Sequence, residues 1–354
     1  TLPLLAPAIL AAALLVFIFD FTSFGVVLIL GGPRLATLEV EIYRQTVNLF
    51  NLPVAAALSL AQLVCTFALM VIYTRLQARL ARPLGLRPQT LTRAKPQNAR
   101  AKIFVWGYLA AMLIFLLTPL VSVAAASFED GLGYYAELFI NRRDSITFVP
   151  PIDAVRNSLL FTGATIVLAV GLGLIAAYAL IGKNRAAKIL DPIFMLPLGT
   201  SAVTLGFGFI LALGNLRASI WLVPIVHALV AFPFVVRSLL PMLRSVAPHL
   251  REAAQVLGAS PVRVWREIDL PIITRAIMIG AVFAFTVSMG EFGATALVAR
   301  PEMPTIPIAI YRFLGQPGLV NFGQALALST ILMVVSAIAI VAMEHLRIDA
   351  RGEF

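Results

Sequence analysis

Eight stretches of this chain are apolar for long enough to cross a bilayer core of about 30 Å as helices, a length that needs roughly 20 residues. They cover about 4–30, 53–74, 103–126, 158–181, 189–213, 219–240, 271–298 and 322–343. Stretches this long are not the ten-residue alternating strands of a membrane barrel, and backbone satisfaction in lipid then leaves helices. Composition agrees: 60% of the residues are hydrophobic and 12% charged, against about a quarter charged in soluble proteins. The single cysteine, Cys65, has no partner in the chain and reads as a small buried apolar residue. The expected fold is an all-α polytopic membrane protein.

Orientation follows from the placement of Lys and Arg. The connection 75–102 carries eight basic residues and no acidic one, which places it on the cytoplasmic side. The connection 127–157 is acidic on balance and belongs outside. Alternating spans then put Lys183, Arg185 and Lys188, the long connection 241–270 and the C-terminus inside. The net charge of +10 is therefore the inner face of an oriented bundle, and nucleic acid is not needed to explain it.

An offset of 268 residues superimposes the first span on the seventh without gaps. Leu2-Pro3 falls on Leu270-Pro271, Phe24-Gly25 on Phe292-Gly293, Pro33 on Pro301, and Thr37 on Thr305. Ile42-Tyr43-Arg44 falls on Ile310-Tyr311-Arg312. Shared apolarity aligns any two membrane helices, but not a proline, a threonine and a Tyr-Arg pair across a polar connection. Both copies run the same way, so the repeat is parallel, with an axis along the membrane normal. Residues 1–80 read as the end of a first half with two spans, 81–102 as a basic linker, 103–346 as a complete six-span half, and 347–354 as a tail. On this reading roughly 167 residues of the first half lie outside the sequence, giving an expected polypeptide of about 521 residues with twelve spans.

The connection at about 241–271 carries Val246, Leu250, Ala253, Ala254 and Leu257 at helical spacing, one apolar stripe on a short helix. Gly258 ends it, Ser260-Pro261 restarts the chain as cap and first helical residue, and Pro271 is expected to open the next span. The result is a helix–turn–helix laid against the cytoplasmic face.

Within it, Glu252-Ala253-Ala254, Gly258, Ile268 and Leu270-Pro271 have the spacing of the EAA signature, and the chain resembles the membrane-spanning permease subunits of prokaryotic ABC importers. Asn157-Ser158-Leu159, the run 173–180 and Leu196-Pro197 are similar to that family too. The resemblance implies a type I importer permease fold in the inner membrane and a loop that docks on a separate ATPase subunit, present in two copies. Glu252, Ala253, Ala254 and Gly258 would be the coupling contacts, with Ile268, Leu270 and Pro271 packing the loop at the membrane end. No G-x-x-x-x-G-K-[ST] occurs, so no cofactor is expected on this chain, and ATP with its magnesium would sit on the partner. An extracytoplasmic binding protein is the other implied partner. The run 37–43 and Gly290-Glu291-Phe292-Gly293 look most like permeases for ferric iron or thiamine; sulfate, molybdate, polyamine and phosphonate permeases share the loop.

Intramembrane acids default to a functional hypothesis. Asp20 and Glu291, with Ser288 and Ser23 as their respective repeat counterparts, are the candidate translocation path for a cation; the alternatives are helix–helix hydrogen bonding or a place near the outer water boundary. Pro197, Gly199, Gly206, Gly208, Pro224 and Pro233 mark either breaks along that path or close helix packing. His227 reads as a packed or capping histidine. An ATP-independent carrier is the rival the loop argues against. A membrane-bound enzyme finds no support, since the three histidines are dispersed and no nucleophile stands beside a base.

Overall fold

The computed structural model describes residues 2–80, 98–141, 149–182, 185–216 and 219–349. The basic linker over 81–97, Lys183, and the tail beyond 349 lie outside the described residues. Among the described residues six uninterrupted helices are long and apolar enough to cross a membrane: α4 (Leu52–Leu80), α5 (Ala99–Ala126), α7 (Pro151–Ala179), α10 (Leu222–Ser245), α13 (Leu270–Gly290) and α16 (Leu319–Asp349). The stretch predicted at 189–213 is a pair, α8 (Arg185–Gly199) and α9 (Ala202–Ala212), bent by 106°. Two prolines within α8, Pro192 and Pro197, each lack an amide donor, and the chain turns three residues after the second. The stretch at 4–30 is likewise two helices, α1 (Leu2–Phe21) and α2 (Gly25–Leu30), that at 271–298 is α13 followed by α14 (Gly293–Val298), and the short α6 (Gly133–Ala136) lies between α5 and α7.

Geometry reproduces the repeat. α2 and α14 begin at Gly25 and Gly293, while α3 (Leu38–Tyr43) and α15 (Ile306–Leu314) begin at Leu38 and Ile306, each pair 268 residues apart. Thr37 and Thr305 occupy the two N-cap positions in extended backbone, and the Thr37 side chain accepts from the Val40 amide. The connections that follow the first and seventh apolar stretches are thus matched helices.

Lipid as solvent inverts the usual burial pattern. α10 lies at the centre, packed by α7, α8 and α13, with Val235 and Leu239 fully buried, whereas α5 has no buried residue. Val235 nests where α10 crosses α7 and α13: a β-carbon added to Gly173 or Gly280 would lie 2.6 or 3.2 Å from its Cγ1. Without a hydrophobic drive between helices, such close backbone approach is what packing can offer. Polar side chains face inward: α4 buries Ser59, Gln62 and Thr66 with Ala55, one helical stripe. Cys65 falls off that stripe and is exposed, not buried as the sequence suggested, because the apolar side of α4 faces outward. Asn157 and Ser158 on α7 hold the start of α15, the amide of Asn157 donating to the Pro304 carbonyl at 3.2 Å and the Ile306 N–H donating to Ser158 at 2.8 Å.

Candidate functional site

Three helix breaks converge on one cavity of about 530 Å³. The α1–α2 break brings Thr22, Ser23 and Phe24, the α8–α9 break Thr200 and Ser201, and the α13–α14 break Glu291 and Phe292; Glu39 of α3 completes the polar lining. Irregular backbone at membrane depth is tolerated where it lines a cavity, since the freed amides and carbonyls then find other partners. Ser201 illustrates the point: its side chain caps α9 by accepting from the Thr204 amide.

Aromatic rings mark the repeat axis. Phe24 packs on Tyr43 at a centroid distance of 5.4 Å, and its counterpart Phe292 packs on Tyr311 at 5.5 Å. Phe24 and Phe292 then stack on each other at 5.3 Å, so equivalent residues of the two copies meet face to face. Burial, helped by the neighbouring Tyr311, pushes the Tyr43 hydroxyl up to about 12, so it stays neutral.

The predicted path residues separate. Ser23 and Glu291 line the cavity. Ser288 is buried beside it in a hydrogen-bonded cluster with His227, Thr162 and Thr165 at 2.8, 3.0 and 3.4 Å. Asp20 is exposed on α1 and is not among the lining residues. Glu291 itself accepts from the backbone amides of Ala294 and Thr295, both at 2.9 Å, one per carboxylate oxygen. The two oxygens therefore cap the N-terminus of α14 as hydrogen-bond acceptors, with His227 Nε2 3.5 Å from the carboxylate. His227 also meets Thr295 at 2.7 Å, the packed histidine the sequence suggested.

Sequence reasoning missed Glu39. Its carboxylate accepts from Gln62 at 3.0 Å, and the Thr204 hydroxyl donates to the other side of Gln62 at 3.1 Å, so the chain of bonds joins α3 through α4 to α9. Burial lifts the Glu39 carboxyl from 4.5 to about 7; bonds from Ser201 and Gln62 oppose the rise and the Glu291 charge adds to it. One signal was available: matched N-cap threonines at 37 and 305 make the following residues a helix and not a loop.

At the far end of the bundle, α11 (Pro248–Val256) carries Glu252, Ala253 and Ala254. Gly258 comes next at φ +82°, its amide bonded to the Gln255 carbonyl and that of Ala259 to Ala254, a two-bond helix stop that favours glycine. Ser260 caps α12 (Pro261–Val264) by accepting from the Arg263 amide. Two expectations need correction. α12 does not stop before Pro271: a π-helical turn over Trp265–Asp269 carries it straight into α13, the Leu270 amide reaching back to Trp265. That wider turn accommodates a proline at the second position of α13. Nor is the apolar stripe laid against the bundle. Val246 is buried, but Leu250 is exposed, and Val256 and Leu257 are 86% and 87% exposed. Glu252, Ala253 and Gly258 are exposed, Ala254, Ile268 and Leu270 half-buried, and Pro271 exposed.

Comparison with known proteins gives this arrangement a family. Residues 169–351, slightly more than half the chain, match the family described as binding-protein-dependent transport system inner membrane component. The thiamine transport system permease protein of Brucella abortus is 28% identical over 308 residues, covering 85% of this chain and 55% of that protein. Its namesake in Escherichia coli is 27% identical over 328 residues, covering 88% and 58%. The molybdenum transport system permease protein of Haemophilus influenzae is 30% identical over 214 residues, covering 55% of this chain and 93% of that one. This chain thus spans a little over half the length of the thiamine relatives. A crystal structure of a bacterial ABC transporter involved in importing the acidic polysaccharide alginate shares the fold, with a TM-score of 0.52, 18% identity and 71% and 94% of the two chains covered. The chain belongs to the family of binding-protein-dependent transport inner membrane components and is a multi-pass membrane protein with a permease fold.

Proposed function

We propose that this chain is a permease subunit of an ATP-driven importer in a prokaryotic cytoplasmic membrane, moving a small solute delivered by an extracytoplasmic binding protein. The observation that carries the reading is α11: a helix with the Glu252-Ala253-Ala254 and Gly258 pattern whose apolar residues are left exposed on the surface of the bundle. It is a surface waiting for a partner, and two ATPase subunits holding ATP and magnesium are the partners the family supplies. Closing of those subunits moves the coupling loops, and the helical halves rock about the repeat axis, exchanging inward and outward access. Glu252, Ala253, Ala254 and Gly258 make the contact, with Ile268, Leu270 and Pro271 at the membrane end. On this reading the α11 side and the C-terminus face the cytoplasm, which the excess of Lys and Arg in the connections on that side supports.

Thiamine is the solute favoured here over molybdate. Glu39 presents a carboxyl that ionises at about 7, with neutral partners Gln62 and Ser201, to a cavity that also contains Phe19, Phe24, Phe234 and Phe292, and a bound cation would favour its ionised form. Carboxylates and aromatic faces suit an organic cation and disfavour an oxyanion. Ser23 and Glu291 would shape the same path.

The test uses the full-length permease assembled with its ATPase and binding protein. Glu252→Lys and Gly258→Asp are expected to abolish the stimulation of ATP hydrolysis by loaded binding protein. Stimulation unchanged in both variants overturns the coupling assignment.

A further inference from the structure

α11 is fastened to the membrane helices through one carboxylate. Asp269, the last residue of the π-helical turn before α13, is 5% exposed. Its Oδ1 accepts from Arg251 Nε of α11 at 2.8 Å, and its Oδ2 accepts from the Tyr178 hydroxyl of α7 at 3.2 Å. The two oxygens are divided between two helices instead of both pairing with the guanidinium, whose Nη2 is buried without a partner. Three elements therefore meet at Asp269: the loop helix, the span that begins at Leu270 and the end of the span that closes at Ala179.

Apolar packing does little of this fastening. Val256 and Leu257 point away from the bundle, and Leu250 is 42% exposed. Among the described residues α11 also packs on α12, and its first end continues from α10. There the Arg244 guanidinium donates to the Leu180 carbonyl at 2.9 Å, tying α10 to the same end of α7. A push on α11 thus reaches α7 through Tyr178 and Asp269, and α13 through Asp269 directly. A buried charge-assisted bond is short, directional and costly to leave unpaired, which suits it to transmit a displacement that exposed apolar side chains cannot.

We propose that Asp269, with Arg251 and Tyr178 as positioning residues, is the joint through which movement of α11 becomes movement of α7 and α13. The proposal rests on the reading of α11 as the ATPase-docking helix. Its subject is the step after docking: without the joint, the loop still binds the ATPase, but its motion is no longer passed on.

The experiment measures solute taken up per ATP hydrolysed by the complete transporter in proteoliposomes, with thiamine and its binding protein as the probe, alongside co-purification of the ATPase. Tyr178→Phe and Asp269→Asn, both close to isosteric, are expected to lower that ratio by about fivefold or more, the size of an ordinary coupling free energy, while the ATPase still co-purifies. Exchange of the pair, Arg251→Asp with Asp269→Arg, is expected to recover part of the loss that Asp269→Arg alone causes. A wild-type ratio in both Tyr178→Phe and Asp269→Asn overturns the proposal. So does a variant that loses the ATPase from the complex, since the network would then only build the docking surface. Failure of the underlying reading is distinct: the unmodified transporter would itself show no ATP-dependent uptake.

Discussion

Replacing Glu291 tests whether its carboxylate caps a helix or serves the path. Both oxygens are spent on the first free amides of α14, those of Ala294 and Thr295, at 2.9 Å each. Glu291→Ala leaves two buried amide donors without acceptors, and each costs about 1–3 kcal/mol. The expected loss is therefore about 2–6 kcal/mol. Glu291→Gln keeps one side-chain carbonyl, so one amide remains satisfied and the loss falls to about half, roughly 1–3 kcal/mol. Thermal unfolding of the purified transporter, measured as the fraction of monodisperse protein remaining after heating, should rank the proteins as wild type, then Gln, then Ala. Alanine within about 0.5 kcal/mol of wild type, the range of ordinary surface substitutions, would refute the cap. So would glutamine as damaging as alanine, which would mean that charge and not acceptor geometry is what the site requires.

Glu39 gives a pH signature. The folded carboxyl takes up its proton at about 7, against 4.5 for the ordinary group, so the folded chain holds an extra proton between those values. Stability then falls as pH rises through that window, by up to about 3 kcal/mol, and Glu39→Gln should flatten the slope; an unchanged slope in the variant speaks against the assignment. Gly206→Val is expected to cost about 1–3 kcal/mol through overpacking, because a β-carbon there would lie 2.9 Å from Ala294 Cα, a backbone atom that cannot swing aside. Melting of this variant at the wild-type temperature would place the α9–α14 contact elsewhere. At Gly258, φ of +82° penalises an L side chain by about 1–2 kcal/mol. Asparagine, which tolerates that backbone, should keep most of the ATPase stimulation that Gly258→Val removes.

What could be read from the sequence was whatever lipid imposes on every residue of a span. Apolar length gave the crossings, and the offset of 268 gave the repeat, because the polar connection between Pro33 and Arg44 carries residues that burial alone would not select. The breaks were only half legible. Pro197 and Gly199 flagged the α8–α9 bend, whereas the breaks after Phe21 and Gly290 depend on side-chain partners for the freed backbone groups: Glu291 accepts from amides three and four residues on, and Thr37 donates to the Ser23 carbonyl from fourteen residues away. The roles of Glu39 and Asp269 were not legible, although the threonine at 37 marked the helix that carries Glu39. Their meaning lies in partners far along the chain, Gln62 and Ser201 for one, Arg251 and Tyr178 for the other. Asp20, an acid in an apolar run, is exposed on α1 and is not among the residues lining this cavity.

The most direct test of the central reading is uptake of radiolabelled thiamine into proteoliposomes holding the full-length permease and its ATPase, with binding protein outside and ATP inside. The predicted result is accumulation above the external concentration that requires ATP, the ATPase and loaded binding protein together, and that Gly258→Asp abolishes. Uptake that proceeds without ATP or without the ATPase would contradict it.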